Sequence, residues 1–145
     1  MLLTPKLTSA GEIDAPYDLI LLSVKAYALE AAMDDFAAAV GPETMILPVL
    51  NGMRHIDLLT RRFGEGAVLG GVCVVATEID DKGRIVQMAD IQQLVYGERN
   101  GGVTPRLQSL DATLRGAGFD ARLSTDIIQA MWEKWVMLAS LGAIT

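Results

Sequence analysis

Twice within the first 63 residues a short apolar run passes directly into a helical pattern, and this alternation restricts the possible folds more than any other feature. Residues 17–24, YDLILLSV, show no polar alternation after Asp18, which is the pattern of a strand buried on both faces. Residues 27–39, YALEAAMDDFAAA, then switch to good helix formers. Leu29, Ala32, Met33, Phe36 and Val40 fall at helical spacing before Gly41-Pro42 stops the run. The cycle repeats at once. Residues 44–50, TMILPVL, form a second strand whose Pro48 places it at a sheet edge or at a strand end. Asn51-Gly52 follows, and then a helix in which Met53, Ile56, Leu59 and Phe63 share one face. Two successive strand–helix units of this kind predict parallel strands with right-handed crossovers, the signature of an α/β layer.

The pattern changes after Gly64. Residues 67–76, 84–88 and 91–96 are short, β-branched and separated by turn residues (Asp80, Asp81 and Gly83; Ala89 and Asp90), which predicts antiparallel strands with tight connections. Thr104-Pro105 supplies an N-cap and a first-turn proline for a helix over 105–115 that stops at Gly116. Residues 119–123 read as a last short strand. Ser124/Thr125 then caps a helix running from about residue 125 to the end of the chain. Residues 1–16, broken by Pro5, Gly11 and Pro16, read as a loop or a frayed edge strand.

Composition narrows the function classes. At 145 residues and 51% hydrophobic, the chain can bury a core of its own. A formal net charge of −6 argues against binding to nucleic acid or to an anionic membrane, both of which require a basic footprint. A single cysteine, Cys73, excludes an intrachain disulfide and a cysteine zinc site, and it suits a reducing cytoplasm. No apolar run reaches the length of a membrane span, and the N-terminal segment has no signal-peptide pattern. A cytoplasmic location and no metal are the resulting expectations.

Three residues carry candidate chemistry. Lys25 follows LILLSV and Asn51 follows MILPVL, so both stand at the carboxyl ends of strands, where open α/β sheets bind ligands. Asn51 offers an amide donor and a carbonyl acceptor, suited to a carboxamide or a polarised carbonyl, or it serves only the Asn-Gly turn. Lys25 offers a charge for a phosphate or carboxylate, or it begins a solvated loop. Lys134 is different. Around the last helix it falls among Ile127, Met131, Leu138 and Leu141, so its charge sits within an apolar stripe. Desolvation there lowers an ammonium pKa into a range useful for acid–base work, unless the side chain snorkels to water or pairs with an acid. Lone His55 falls on the polar side of the second helix and carries no assignment, and Cys73 reads as a small buried hydrophobe. GEGAVLG (64–70) and GAGFDA (116–121) look like phosphate loops. Each follows a helix and precedes a strand, however, which is the reverse of the order a dinucleotide fingerprint needs.

Four segments in register, LILLSVKAY (19–27), LPVLNGM (47–53), GGVCVVATEI (70–79) and MWEKWVMLAS (131–140), resemble the ketopantoate reductase (2-dehydropantoate 2-reductase) family across residues 17–145. The resemblance implies an incomplete Rossmann-like dinucleotide-binding domain over 1–124, followed by the start of an interdomain helix over 125–145. It implies NADPH-dependent reduction of a 2-oxo acid in the pantothenate and coenzyme A route. Lys134 matches the family's proton-donating lysine, Asn51 the asparagine beside nicotinamide and substrate, and Lys25 the lysine of VKAY at the cofactor crevice. The family's leading strand with GxGxxG and its helical second domain have no counterpart in the chain, so weak or no activity of these 145 residues alone is expected. Leu138 stands where many members carry asparagine, which keeps a different 2-oxo acid open as the substrate. The alternative reading is a non-catalytic module acting through its surfaces. On either reading, uncovered apolar surface predicts a homo-oligomer.

Overall fold

The computed structural model describes residues 4–144. Strand β1 (Leu19–Leu22) lies parallel to β2 (Met45–Pro48), with Leu19 opposite Met45 and Leu22 opposite Pro48. Helix α1 (Leu29–Asp35) makes the crossover between them, entered and left through single 3-10 turns at Ala26–Ala28 and Ala37–Ala39. The helix expected over 27–39 is therefore interrupted at Phe36, whose ring stacks on Phe63 with centroids 5.2 Å apart. Pro48 is the last residue of β2, where its missing N–H costs the ladder nothing further.

Helix α2 (Arg54–Phe63) returns the chain along the sheet and ends at Gly64, whose φ of 87° only glycine adopts without strain. Val68 then makes a parallel bridge to Ile46, which joins β2 to the second group of strands. There β3 (Gly70–Ile79) pairs antiparallel with β4 (Ile85–Gly97), and β5 (Asp120–Leu123) pairs parallel with β4 after crossing over through α3 (Pro105–Leu114). Thr104 caps α3 as expected, its hydroxyl accepting from the Leu107 N–H at 3.3 Å.

Two expectations are corrected. Residues 84–88 and 91–96 belong to one strand, because Ala89-Asp90 forms a bulge where a turn was expected. Val75 pairs with Gln92 and Thr77 with Gln87, so Ala76 alone opposes Met88–Ile91. Gln87 holds the bulge by donating to the Ala89 carbonyl and accepting from Gln92. The cap of the last helix, α4 (Ile127–Ile144), is Asp126, whose carboxylate accepts from the Gln129 N–H. Ser124 accepts one step earlier, from the Asp126 N–H.

Both faces of the sheet are packed except at Leu21 of β1, which is 55% exposed, so the expected burial on both faces holds for β2 and not for β1. Leu22, Ile46, Val68 and Val72 meet α1, α2 and α4 through Leu29, Met33, Ile56, Leu59, Ile127 and Met131. The opposite face packs Met45, Leu47, Leu69, Leu94 and Tyr96 against Leu107 and Leu110 of α3. Tyr96 is fully buried, and its hydroxyl donates to Asp111 at 2.8 Å. Burial, reinforced by that carboxylate, pushes its pKa up to about 12. The glycines of β3 and β4 set the position of α4. A Cβ on Gly70 would reach 2.7 Å from the Ile127 side chain, and one on Gly71 would collide with the Pro48 carbonyl. Ile127 and Met131 thus rest directly on the sheet, and Lys134 follows on the same helical stripe.

A cleft beyond the ends of the parallel strands

The last register pair of the parallel strands is Leu22 and Pro48, so each chain leaves the sheet at the same end. Asn51 emerges there, followed by Gly52 with a φ of 84° that a side chain would strain. That turn swings the chain into α2 and opens a cavity of about 610 Å³, lined among others by Tyr27, Asn51, His55 and Trp135. The volume is within the range that holds a small ligand or part of a cofactor. Asn51 is exposed on its wall, so its amide is available. Lys25 is exposed at the start of the Ala26–Ala28 turn and lies just outside the lining, next to Ala26.

Lys134 approaches from α4. Its Nζ donates to the Cys73 carbonyl at 2.6 Å, and it borders a small gap lined by Leu50, Gly52, Gly71, Val72, Met131 and Trp135. Leu50, Gly52 and Trp135 belong to both spaces, so a thin partition separates Lys134 from Asn51. Trp135, 38% exposed, forms part of that partition, and its ring lies 3.7 Å from where a Gly52 Cβ would be. Half-burial moves the Lys134 pKa below that of an ordinary lysine, because the low-dielectric setting penalises the ammonium. The main-chain carbonyl holds the nitrogen in place without supplying a full counter-charge.

His55 was missed by sequence reasoning. It is only 4% exposed, although the helical pattern placed it on the polar side of α2. The signal was present: His55 lies one turn before Leu59, and both are buried beside Ile56. Its Nε2 has no hydrogen-bond partner among the described residues. Leaving such an atom unpaired costs about 1–3 kcal/mol. Burial, aided by the positive charge of Lys134 and opposed by Asp57, draws its pKa down to about 4, so the ring is neutral near neutral pH. Cys73 is half-buried, with its carbonyl turned to Lys134. Among the described residues, no group of three His, Cys, Asp or Glu side chains is placed to hold a metal, and no helix is long and apolar enough to cross a membrane.

Residues 1–101 match the family described as Ketopantoate reductase PanE/ApbA. An uncharacterized oxidoreductase of Bacillus subtilis, YkpB, is 33% identical over 141 residues, covering 97% of this chain and 46% of that protein. The crystal structure of 2-dehydropantoate 2-reductase from Geobacter metallireducens superimposes with a TM-score of 0.73 at 29% identity, over 83% of this chain and 40% of that one. D-mandelate dehydrogenase with NADH and anilino(oxo)acetate superimposes with a TM-score of 0.72 over 85% of this chain and 39% of that one; at 22% identity it supports the fold alone. The chain thus spans less than half the length of the curated relatives it matches. The fold is Rossmann-like, with parallel strand–helix units, antiparallel strands and a C-terminal helix, and the chain belongs to the ketopantoate reductase family.

Proposed function

We propose that this chain carries the proton-donating side of an NADPH-dependent 2-oxo-acid reductase, with 2-dehydropantoate as substrate and pantoate as product. The observation that carries the reading is Lys134: a half-buried ammonium of lowered pKa, held on a main-chain carbonyl and separated from the strand-end cleft only by Leu50, Gly52 and Trp135. Reduction of a 2-oxo group leaves negative charge on its oxygen, and a lysine that gives up its proton readily is suited to neutralise it. Lys134 gives one N–H proton to that oxygen and remains as an amine, the form that desolvation penalises less than the ammonium.

The residues present fit the nicotinamide end of a dinucleotide. Asn51 presents an amide on the cavity wall that can pair with a carboxamide or with the substrate carbonyl, and Lys25 supplies a positive charge beside the same opening. NADPH supplies the hydride when bound. Gly64 and Gly116 each stand between a helix and a strand, so neither glycine-rich segment supplies a phosphate loop. Residues 1–124 act here as part of the nucleotide-binding unit and 125–145 as the start of an interdomain helix. Exposed Trp132, Val136, Met137 and Leu141 on α4 favour self-association into a homo-oligomer. A cytoplasmic enzyme fits the single half-buried cysteine.

The test follows tryptophan fluorescence in a Trp132→Phe background, which leaves Trp135 in the cleft as the reporter. NADPH should quench it with Asn51 intact and far less in Asn51→Ala. Turnover with 2-dehydropantoate by these 145 residues should be slow, and about 10²- to 10⁴-fold slower in Lys134→Met. Absence of quenching, or a Lys134→Met variant as active as the native chain, overturns the proposal. A panel of other 2-oxo acids decides whether Leu138 marks a different substrate.

A further inference from the structure

The proposed chemistry uses neither the buried His55 nor a partner for its Nε2, which lacks a hydrogen bond among the described residues. The side chain best equipped to supply one lines the adjoining space, and its charge is felt by the ring. A lysine ammonium has three N–H donors, and Lys134 uses one, on the Cys73 carbonyl. His55 lines the strand-end cavity and Lys134 the small gap behind it, and the two spaces share Leu50, Gly52 and Trp135. A donor with protons to spare and an acceptor with none thus stand on two sides of one partition.

We propose that His55 is the second anchor of Lys134: rotation of the flexible lysine stem brings one ammonium N–H onto the imidazole Nε2, the Cys73 carbonyl keeps another, and the third is left to point into the cleft. Two fixed acceptors define the direction of the third donor, which a single carbonyl does not. His55 is then a positioning residue, acting on a ligand only through Lys134. The cation favours the tautomer with the lone pair on Nε2 and the proton on Nδ1, because a donor N–H facing an ammonium would be repelled. The other charged groups around the ring are Arg54 and Asp57 on α2 and Glu30 on α1. Of these, Asp57 draws the histidine toward protonation, against Lys134.

The importance of this contact rests on the proposed role of Lys134, but its test needs neither cofactor nor turnover. His55 is the only histidine in the chain, so one imidazole appears in a nitrogen-15 spectrum. At neutral pH, Nε2 should be the unprotonated nitrogen. Lys134→Met should raise the His55 pKa by about one unit, back toward an ordinary histidine. In the reverse direction, lysine side-chain carbon resonances, with Lys6, Lys25 and Lys82 as internal controls, should show the Lys134 pKa falling in His55→Phe and recovering in His55→Gln, which restores an acceptor. A proton on Nε2, a His55 titration indifferent to Lys134→Met, or a Lys134 titration indifferent to His55→Phe overturns the proposal. If His55→Phe does not fold, the native spectrum and Lys134→Met still decide. An inactive chain that passes these tests loses the proposed function and keeps the anchor, and an active chain that fails them does the opposite.

Discussion

Where β4 leaves the sheet, Glu98 is buried, and its carboxylate accepts from Thr104 at 2.6 Å and from two nitrogens of Arg106 at 2.8 and 2.6 Å. Beside it, Arg99 donates to the Val68 and Glu65 carbonyls and to the Glu65 carboxylate. Where β1 and β2 leave the sheet, at the other end, His55 is just as buried and its Nε2 is unpaired, while Lys134 holds a single carbonyl. The difference separates architecture from chemistry. A network in which each charged group meets its counter-charge fixes the loops that feed β3 and α3. An unsaturated one costs stability, and native structures retain such groups mainly at functional sites.

The strongest way to break this comparison is to remove Glu98. Glu98→Ala leaves Arg106 without its carboxylate and Thr104 without its acceptor, and it should destabilise the chain by about 3 kcal/mol, read as a lower urea midpoint. A loss below about 1 kcal/mol would place this network with ordinary surface ion pairs.

Acid should act at the opposite end of the sheet. Above the ordinary histidine pKa of 6.5, His55 is neutral in both the folded and unfolded chains, and pH has no effect through it. Between 6.5 and about 4 the unfolded chain takes up a proton that the folded chain refuses, so stability falls as pH falls. By pH 5 the loss should reach about 2 kcal/mol. Glu98, held below the usual carboxylate range by Arg106, adds its own loss only as pH falls toward its unfolded value of 4.5, so a measurement at pH 5 reports chiefly His55. Urea midpoints at pH 7 and pH 5 measure the loss, and His55→Leu should remove most of it.

The same contrast explains what was legible in the sequence. The strand–helix alternation was visible because β1 and β2 carry uninterrupted apolar runs, although only β2 is buried on both faces and Leu21 of β1 stays exposed. Asn51 and Lys25 were visible because a strand end is marked by the residue that follows it. Lys134 stood out as a charge within an apolar stripe. The bulge at Met88–Ile91 was not legible, because Ala89-Asp90 has the composition of a turn and only pairing with β3 makes it a bulge. The parallel pairing of β5 depends on where α3 carries the chain, which a run of strand formers does not encode. His55 was misplaced because a polar residue was assigned to the polar face although its spacing from Leu59 pointed inward. The nearness of His55 to Lys134, 79 positions apart in sequence, is a property of the fold alone.

The smallest expected effect on stability belongs to Lys134, and it discriminates most sharply between the two ends of the sheet. Lys134→Met keeps the length and apolar stem of the side chain and discards an ammonium that its surroundings disfavour. What is lost is one hydrogen bond to a main-chain carbonyl, worth about 1 kcal/mol, and what is gained is relief from the desolvation that lowers the lysine pKa. The urea midpoint should therefore stay within about 0.5 kcal/mol of the native value, or rise slightly, while the Lys134-dependent readouts disappear. A loss as large as that of Glu98→Ala would mean that Lys134 belongs to the architecture, and that both ends of the sheet are built on the same plan.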